Sequence, residues 1–291
     1  MENSAKKVYV IAMMATKGGV GKTLTAANLG GLLADFGFRV LLLDGDTQGS
    51  LTTYFSIERQ SVFGLNEVIN RGGRIDADCI SKIAYTPINP NGSLDIILCN
   101  ASAEIENWLL LRGDRDSIVK RAMRSPIVAE NYDVVIIDTR GTEGQPLQCS
   151  SAMAADVMLS PISPDTVSAK EFVKGTLGLL ERLNQSSDMI PELRTGPMIA
   201  FINKMDKSND AKQVAQAVRD NFRTHPNIKI MDTVVPQWAT FKSASTLAQP
   251  VHRVDERANL VMHELVWEIF PNLRAQFAEN LVDTDVGGHS A

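Results

Sequence analysis

Cysteine is scarce in this chain and nowhere paired. Cys79, Cys99 and Cys149 are odd in number and widely spaced among 291 residues, and no C-x-x-C occurs. Disulfide frameworks, zinc sites and iron–sulfur sites need cysteines at short, repeated intervals, so none is indicated. Such usage suits a reducing, cytosolic compartment. Long apolar runs are missing too: no stretch approaches the roughly 18 apolar residues of a membrane span, so a soluble protein is expected. The opening imitates a secretory signal, with Lys6-Lys7 followed by the apolar run Val8 to Ala15. A signal would continue into a small-residue cleavage site. This run enters a lysine- and glycine-rich segment instead, and reads as a buried first strand. Internal repeats and low-complexity tracts are absent.

The remaining composition, 44% hydrophobic and 22% charged, is ordinary for a globular protein. Apolar runs of strand length recur at 8–15, 39–44, 94–98, 134–138, 157–160, 198–203 and 228–235. Helix-like stretches lie between most of them, at 24–36, 102–111, 116–123, 168–183 and 209–224, with a last one at 259–270 that ends at Pro271. Strands apolar throughout and alternating with helices predict an α/β fold with a mostly parallel sheet covered by helices on both faces. The segment Thr86–Gly92 reads as a surface loop. One domain is expected over residues 8–281, after a short extension (1–7) and before a loose tail (282–291).

The central motif is Lys17-Gly18-Gly19-Val20-Gly21-Lys22-Thr23, directly after a strand and directly before a helix. Glycines let the backbone turn tightly, so that several N–H groups converge on phosphate oxygens beside the positive end of the helix. Lys22 supplies a cation for the β- and γ-phosphates, and the Thr23 hydroxyl suits Mg²⁺. The nucleotide-binding set is expected to run from Lys17 through Gly18, Gly19, Val20, Gly21, Lys22 and Thr23 to Leu24. Two acidic strand ends support this: Asp44-Gly45-Asp46 and Asp138. Carboxylates just past the C-terminal ends of parallel strands face the P-loop crevice, where they can hold Mg²⁺ or its waters, or orient an attacking water.

The standard G-x-x-x-x-G-K-T pattern would place glycine at position 16, where this chain has Thr16, and a second lysine, Lys17, stands at the loop entrance. In these features the sequence resembles the deviant Walker A ATPases of the ParA type, in the ParA/MinD superfamily. The resemblance implies that Lys17 reaches across an ATP-sandwiched homodimer to the partner's phosphates. It further implies that Asp46 positions the hydrolytic water, that Asp44 supports the metal shell, and that Asp138 is the Walker B aspartate. Lys17, Lys22 and Asp46 then form the catalytic set, and Thr23, Asp44 and Asp138 the Mg²⁺ set. One departure follows Asp138: the family carries a small residue and two prolines, and this chain has Thr139-Arg140-Gly141, closer to the D-x-x-G switch of GTPases. Asn203-Lys204-Met205-Asp206 formally matches the N-K-x-D guanine motif. The resemblance instead assigns Asn203 to adenine and the Val235-Pro236-Gln237 loop to covering the base, so ATP is the expected nucleotide.

Net charge is −5, but it is uneven: residues 194–274 hold 11 Lys/Arg against 8 Asp/Glu, and the remainder 18 against 26. DNA binding would therefore rest on local patches. On the helix at 209–224, Lys212, Gln216, Arg219 and Arg223 fall on one narrow stripe, with Ala211, Val214, Ala215, Val218 and Phe222 on another face. Such a stripe can track phosphates without sequence preference. The resemblance implies non-specific duplex-DNA binding by Lys212, Arg219, Arg223 and Lys242. A second basic cluster, Arg112, Arg115, Lys120, Arg121 and Arg124, competes for that role.

The function implied is a DNA-segregation (partition) ATPase, cytoplasmic and nucleoid-associated, stimulated by a ParB-like centromere-binding protein. With only seven residues before the first strand, no N-terminal helix-turn-helix domain is expected. A MinD-like membrane-cycling ATPase is the first rival, but its basic C-terminal helix is replaced here by a segment carrying Glu264, Glu268 and Pro271. A nitrogenase-iron-protein-like carrier is the second, with only Cys149 to offer, and a metabolic kinase or ligase the third.

Overall fold

The computed structural model describes residues 7–101, 104–141, 144–189, 193 and 195–273. Residues 1–6 of the expected extension, and everything after 273, including the expected tail, lie outside them. The strands are β1 (Tyr9–Met13), β2 (Arg39–Gly45), β3 (Ile57–Arg59), β4 (Ser81–Ile83), β5 (Ser93–Ile97), β6 (Val134–Thr139), β7 (Val157–Ile162), β8 (Met198–Met205) and β9 (Ile228–Pro236). They form one sheet in the order β3-β4-β5-β2-β6-β1-β7-β8-β9. From β5 to β9 every pairing is parallel, while β3 and β4 add an antiparallel edge.

The helices are α1 (Lys22–Asp35), α2 (Leu65–Asn70), α3 (Glu104–Leu110), α4 (Ile118–Met123), α5 (Pro126–Asn131), α6 (Pro146–Ala154), α7 (Thr166–Met189), α8 (Asn209–Phe222), α9 (Ala239–Thr246) and α10 (Glu256–Ile269). Side chains alternate across a strand, so each central strand feeds two cores. Val10, Ala12, Leu41, Leu43, Val135 and Ile137 pack beneath α2 to α8. Ile11, Met13, Val40, Leu42, Val134 and Ile136 pack beneath α1, α9 and α10. The expected α/β architecture, with helices on both faces of a mostly parallel sheet, is what the structure has.

All seven expected strands are present, and Thr86–Gly92 is a loop. The additional pieces are short or polar. β3 and β4 hold three residues each, with exposed Glu58, Arg59 and Lys82 among them, so no apolar run announces them. Helix α6 opens on Pro146 at its first turn, where the missing N–H costs nothing. Among the described residues no helix is long and apolar enough to cross a membrane. The apolar face of α10 is core: Met262, Leu265, Val266 and Ile269 are buried, and Glu268 accepts the N–H groups of Asp232 and Thr233 in β9.

At the far end of α1, a charged cluster pins the segment before α10. Asp35 Oδ2 accepts Arg253 Nε at 2.8 Å and lies 2.8 Å from His252 Nε2, while Oδ1 accepts Ile88 N at 3.0 Å. Burial works to raise the Asp35 pKa, but these donors outweigh it and hold the carboxyl well below its ordinary range. A depressed carboxylate contributes stability that is present above the ordinary pKa of about 4 and lost as pH falls below it. Asp35→Asn is therefore expected to lower unfolding free energy by about 3 kcal/mol at pH 7. In urea titrations that deficit should shrink at pH 3; an equal deficit at both pH values would remove the charge from the account.

Candidate active site

The phosphate loop leaves β1 at the sheet's centre, in the crevice where α1 leads to β2 on one side and α6 leads from β6 to β7 on the other. Gly19 and Gly21 take positive φ of 76° and 102°, a region that side chains resist. Gly21 is also the N-cap of α1, so the loop runs straight into the helix's positive end. A Cβ at Gly21 would collide with the Asn203 side chain.

Two residues at the end of β8 brace this loop. Asn203 Nδ2 donates to Val20 O at 2.7 Å, and Lys204 Nζ donates to Gly19 O at 2.5 Å, Lys204 itself having a positive φ of 59°. Asn203, expected at the base, thus spends one amide hydrogen on the P-loop backbone. Asp206 is exposed and caps the next turn through Ser208 N at 2.8 Å. Pro236 ends β9 opposite Met205, beside these residues.

Lys22 is only 7% exposed. Burial lowers its pKa, opposed by the negative charges of Asp138 and Asp46. Asp138 is fully buried and neither of its oxygens has a hydrogen-bond partner among the described residues. Burial pushes its pKa up to about 7, with Asp44 and Asp46 adding to the rise; Lys22 and the nearby Thr23 hydroxyl oppose it without forming a full hydrogen bond. Asp44 is its register partner across β2 and β6. The Asp44 oxygens are already engaged, by Asp46 N at 3.2 Å and Thr52 N at 2.7 Å, and these bonds shape the loop that presents Asp46. Asp46 in turn accepts Gln48 N at 2.9 Å.

These groups fit a magnesium ion of the kind that accompanies phosphates. Mg²⁺ takes one or two protein ligands and keeps waters and phosphate oxygens for the rest. An orphaned buried carboxylate beside a threonine hydroxyl supplies such a pair. No cluster of three His, Cys, Asp or Glu able to hold a metal by itself occurs among the described residues.

Lys17 folds back onto its own chain: Nζ donates to Ser168 Oγ at 3.0 Å and lies 3.8 Å from Asp165. Thr16 is explained by its surroundings. Its hydroxyl donates to Glu171 O at 3.2 Å, and a Cβ at Gly175 of α7 would stand 2.5 Å from Thr16 Cβ. The glycine that the standard motif keeps in the loop has its counterpart on the helix. Sequence reading also missed Glu106, a buried acid whose pKa burial raises, held by Leu147 N at 3.2 Å and facing the charges of Arg140 and Asp46. A single acid in an amphipathic stretch carries no signal of that kind.

The residues expected to meet DNA lie on α8 and α9 and just after α8. Lys212 is exposed on α8 and Lys242 on α9, neither with an ion-pair partner among the described residues. Arg219 is half-buried and donates to Met231 O and Asp232 O of β9 at 3.3 and 3.4 Å. Arg223 pairs with Asp220 at 2.7 Å. In the competing cluster, Arg112 and Arg121 converge on Asp114, and Arg115 lies 3.7 Å from Asp116.

Comparison with known proteins agrees with this geometry. The profile of the AAA domain family matches residues 8–190. The chain is 32% identical over 255 residues to the sporulation initiation inhibitor protein Soj of Bacillus subtilis, covering 86% of this chain and 92% of that one. It is 30% identical over 251 residues to the chromosome partitioning protein ParA of Caulobacter vibrioides, covering 85% and 88%. Among solved structures, the ATP complex of a Cyanothece McdA variant superposes with a TM-score of 0.71 at 19% identity, over 90% of this chain and 96% of that one.

The Thr16–Gly175 contact makes a prediction with an inverted sign. Gly→Ala inside a helix ordinarily stabilises by about 1 kcal/mol. Gly175→Ala should instead lower the melting temperature and weaken nucleotide binding, because Thr16 must move. Adding Thr16→Gly should restore both. Calorimetry and fluorescent-nucleotide titration of the three variants check this; a stabilised Gly175→Ala would refute the contact.

Proposed function

The chain belongs to the ParA/MinD-type P-loop ATPases, and on that premise we propose that it is a DNA-segregation ATPase. The observation that carries the reading is the phosphate loop with Lys22 buried at its base and a second lysine at its mouth. Bound Mg²⁺ neutralises developing phosphate charge. Thr23 and Asp138 would hold it, Asp44 keeping the neighbouring loop in place. Lys22 and the N–H groups at the start of α1 hold the nucleotide's phosphates, and Asp46 orients water for attack. The base would lie against Asn203 and Pro236, with ATP as the substrate.

Lys17 has a part to play only if it leaves Ser168 and Asp165. In the proposed cycle ATP draws two copies together and each Lys17 exchanges that exposed internal contact, worth little, for the partner's phosphates. The dimer then binds duplex DNA without sequence preference, and a centromere-binding partner stimulates hydrolysis and release. Helix α8 and Lys242 supply the DNA face. In the competing cluster Arg112, Arg115 and Arg121 are engaged by Asp114 and Asp116, whereas Lys212 and Lys242 are exposed without an ion-pair partner among the described residues, which favours α8.

Lys22→Ala should reduce Mg²⁺-dependent ATP hydrolysis several hundred-fold, the usual effect of removing a phosphate-clamping charge worth a few kcal/mol. Lys17→Ala should bind nucleotide yet remain monomeric, whereas Asp46→Ala should dimerise with ATP and barely hydrolyse it, since water positioning matters only in the transition state. Light scattering with ATP separates the two; a monomeric Asp46→Ala would contradict the scheme.

On duplex DNA each phosphate contact adds about −0.9 to the slope of log affinity against log salt. Lys212→Ala should flatten that slope by about one. Asp220→Asn, which frees Arg223, should tighten binding. DNA affinity insensitive to both would remove α8 from the interface.

A further inference from the structure

Gln148 stands in the first turn of α6 and is 2% exposed. Its side-chain amide is bonded at both ends, as a buried polar group must be. Nε2 donates to Ala15 O at 3.0 Å and to Arg140 O at 3.3 Å, while Oε1 accepts Gly144 N at 3.1 Å. One side chain therefore joins the strand exit that carries Lys17 to the turn that follows the Asp138 strand. That turn is seated directly on the phosphate loop. A Cβ at Gly141 would lie 2.7 Å from Lys17 O and 2.9 Å from Gly18 Cα, both backbone atoms that cannot yield cheaply. Beside it, Arg140 lies in the field of the buried Glu106, which also feels Asp46.

We infer that Gln148 is a positioning residue for hydrolysis: it clips the Arg140–Gly141 turn onto the backbone of Lys17, so that the phosphate loop and this turn move as one body. The inference rests on the ATPase reading above. Its bonds reach Ala15, Arg140 and Gly144 and do not touch Lys22, Thr23 or the first amides of α1. Nucleotide affinity is then set without Gln148. What Gln148 sets is the placement of Lys17 and the turn against the reacting phosphate, where a misplacement of about 1 Å can cost a hundred-fold in rate. Seating the turn needs both the clip and a glycine at 141, so the two act as a unit.

The test is steady-state ATP hydrolysis by the full chain, wild type against Gln148→Met, Gly141→Ala and the double variant. Methionine keeps the length of the side chain and removes its hydrogen bonds. Gln148→Met should lower kcat ten-fold or more with KM within about two-fold, Gly141→Ala should lower kcat at least as far, and the double variant should be little worse in kcat than Gly141→Ala, the signature of a shared element. A purely structural Gln148 would lower the melting temperature and leave kcat per folded molecule within two-fold, which overturns the inference. So does a rise in KM at unchanged kcat. If Gln148→Met does not fold, Gln148→Asn, which keeps the amide and shortens its reach, is read by the same split. A wild-type chain that hydrolyses no ATP removes the ATPase reading and this inference with it. Wild-type turnover equalled by both single variants removes only the inference.

Discussion

The structure is organised around a buried carboxylate that the described residues leave without a hydrogen bond. Asp138 stands one residue before the end of the central strand β6, is excluded from solvent, and has no hydrogen bond on either oxygen among the described residues. Leaving such a group unmade costs of the order of 1–3 kcal/mol, and its pKa, raised to about 7 by burial first and by Asp44 and Asp46 next, expresses that cost. The nearby Lys22 is itself desolvated and shifted the other way. Neither group is satisfied by the other. In the proposed function both would meet a third party with its own positive and negative charges, as a magnesium–nucleotide complex would bring. Stability given up at such a site is the ordinary exchange for function.

Around that pair the phosphate loop is held from three directions by groups that touch only its backbone or its stem. Asn203 and Lys204 hold the carbonyls of Val20 and Gly19 from the β8 end. Helix α7 receives Thr16 in the gap left by Gly175. Gln148 ties Ala15 to the turn after β6. These braces leave the loop's N–H groups free to meet phosphate. The lysine at the entrance is held least, by one hydroxyl and a partly exposed carboxylate, so it is the element that can move.

The sheet was legible because its central strands are buried on both faces and must be apolar throughout, and the phosphate loop because few backbones but a glycine-rich one can make its turns. Asp44, Asp46 and Asp138 were legible by position, at strand ends facing one crevice. What escaped was carried by single residues whose meaning depends on distant partners. Thr16 departs from the standard motif because Gly175 of α7 makes room for it, and Gln148 is a single glutamine in a nine-residue helix whose sequence gives it no pattern. β3 and β4, at one side of the sheet, are three-residue strands too short to show a hydrophobic period. The basic stripe on α8 was legible as a pattern, but not that Asp220 sits within it and occupies Arg223.

The central claim, that Asp138 is a buried charge awaiting a ligand, is tested most directly by comparing the thermal stability of Asp138→Asn with wild type. An acid whose folded pKa is raised destabilises the fold increasingly as pH climbs from its ordinary value of about 4 to its folded value. At pH 8, without nucleotide, Asp138→Asn should therefore melt at least about 2 °C higher than wild type, and the advantage should fade toward pH 4. With Mg²⁺ and nucleotide added, wild type should be stabilised and the variant should gain much less. A variant that melts below wild type at pH 8 without ligand, or that gains equally from the magnesium nucleotide, would contradict the account.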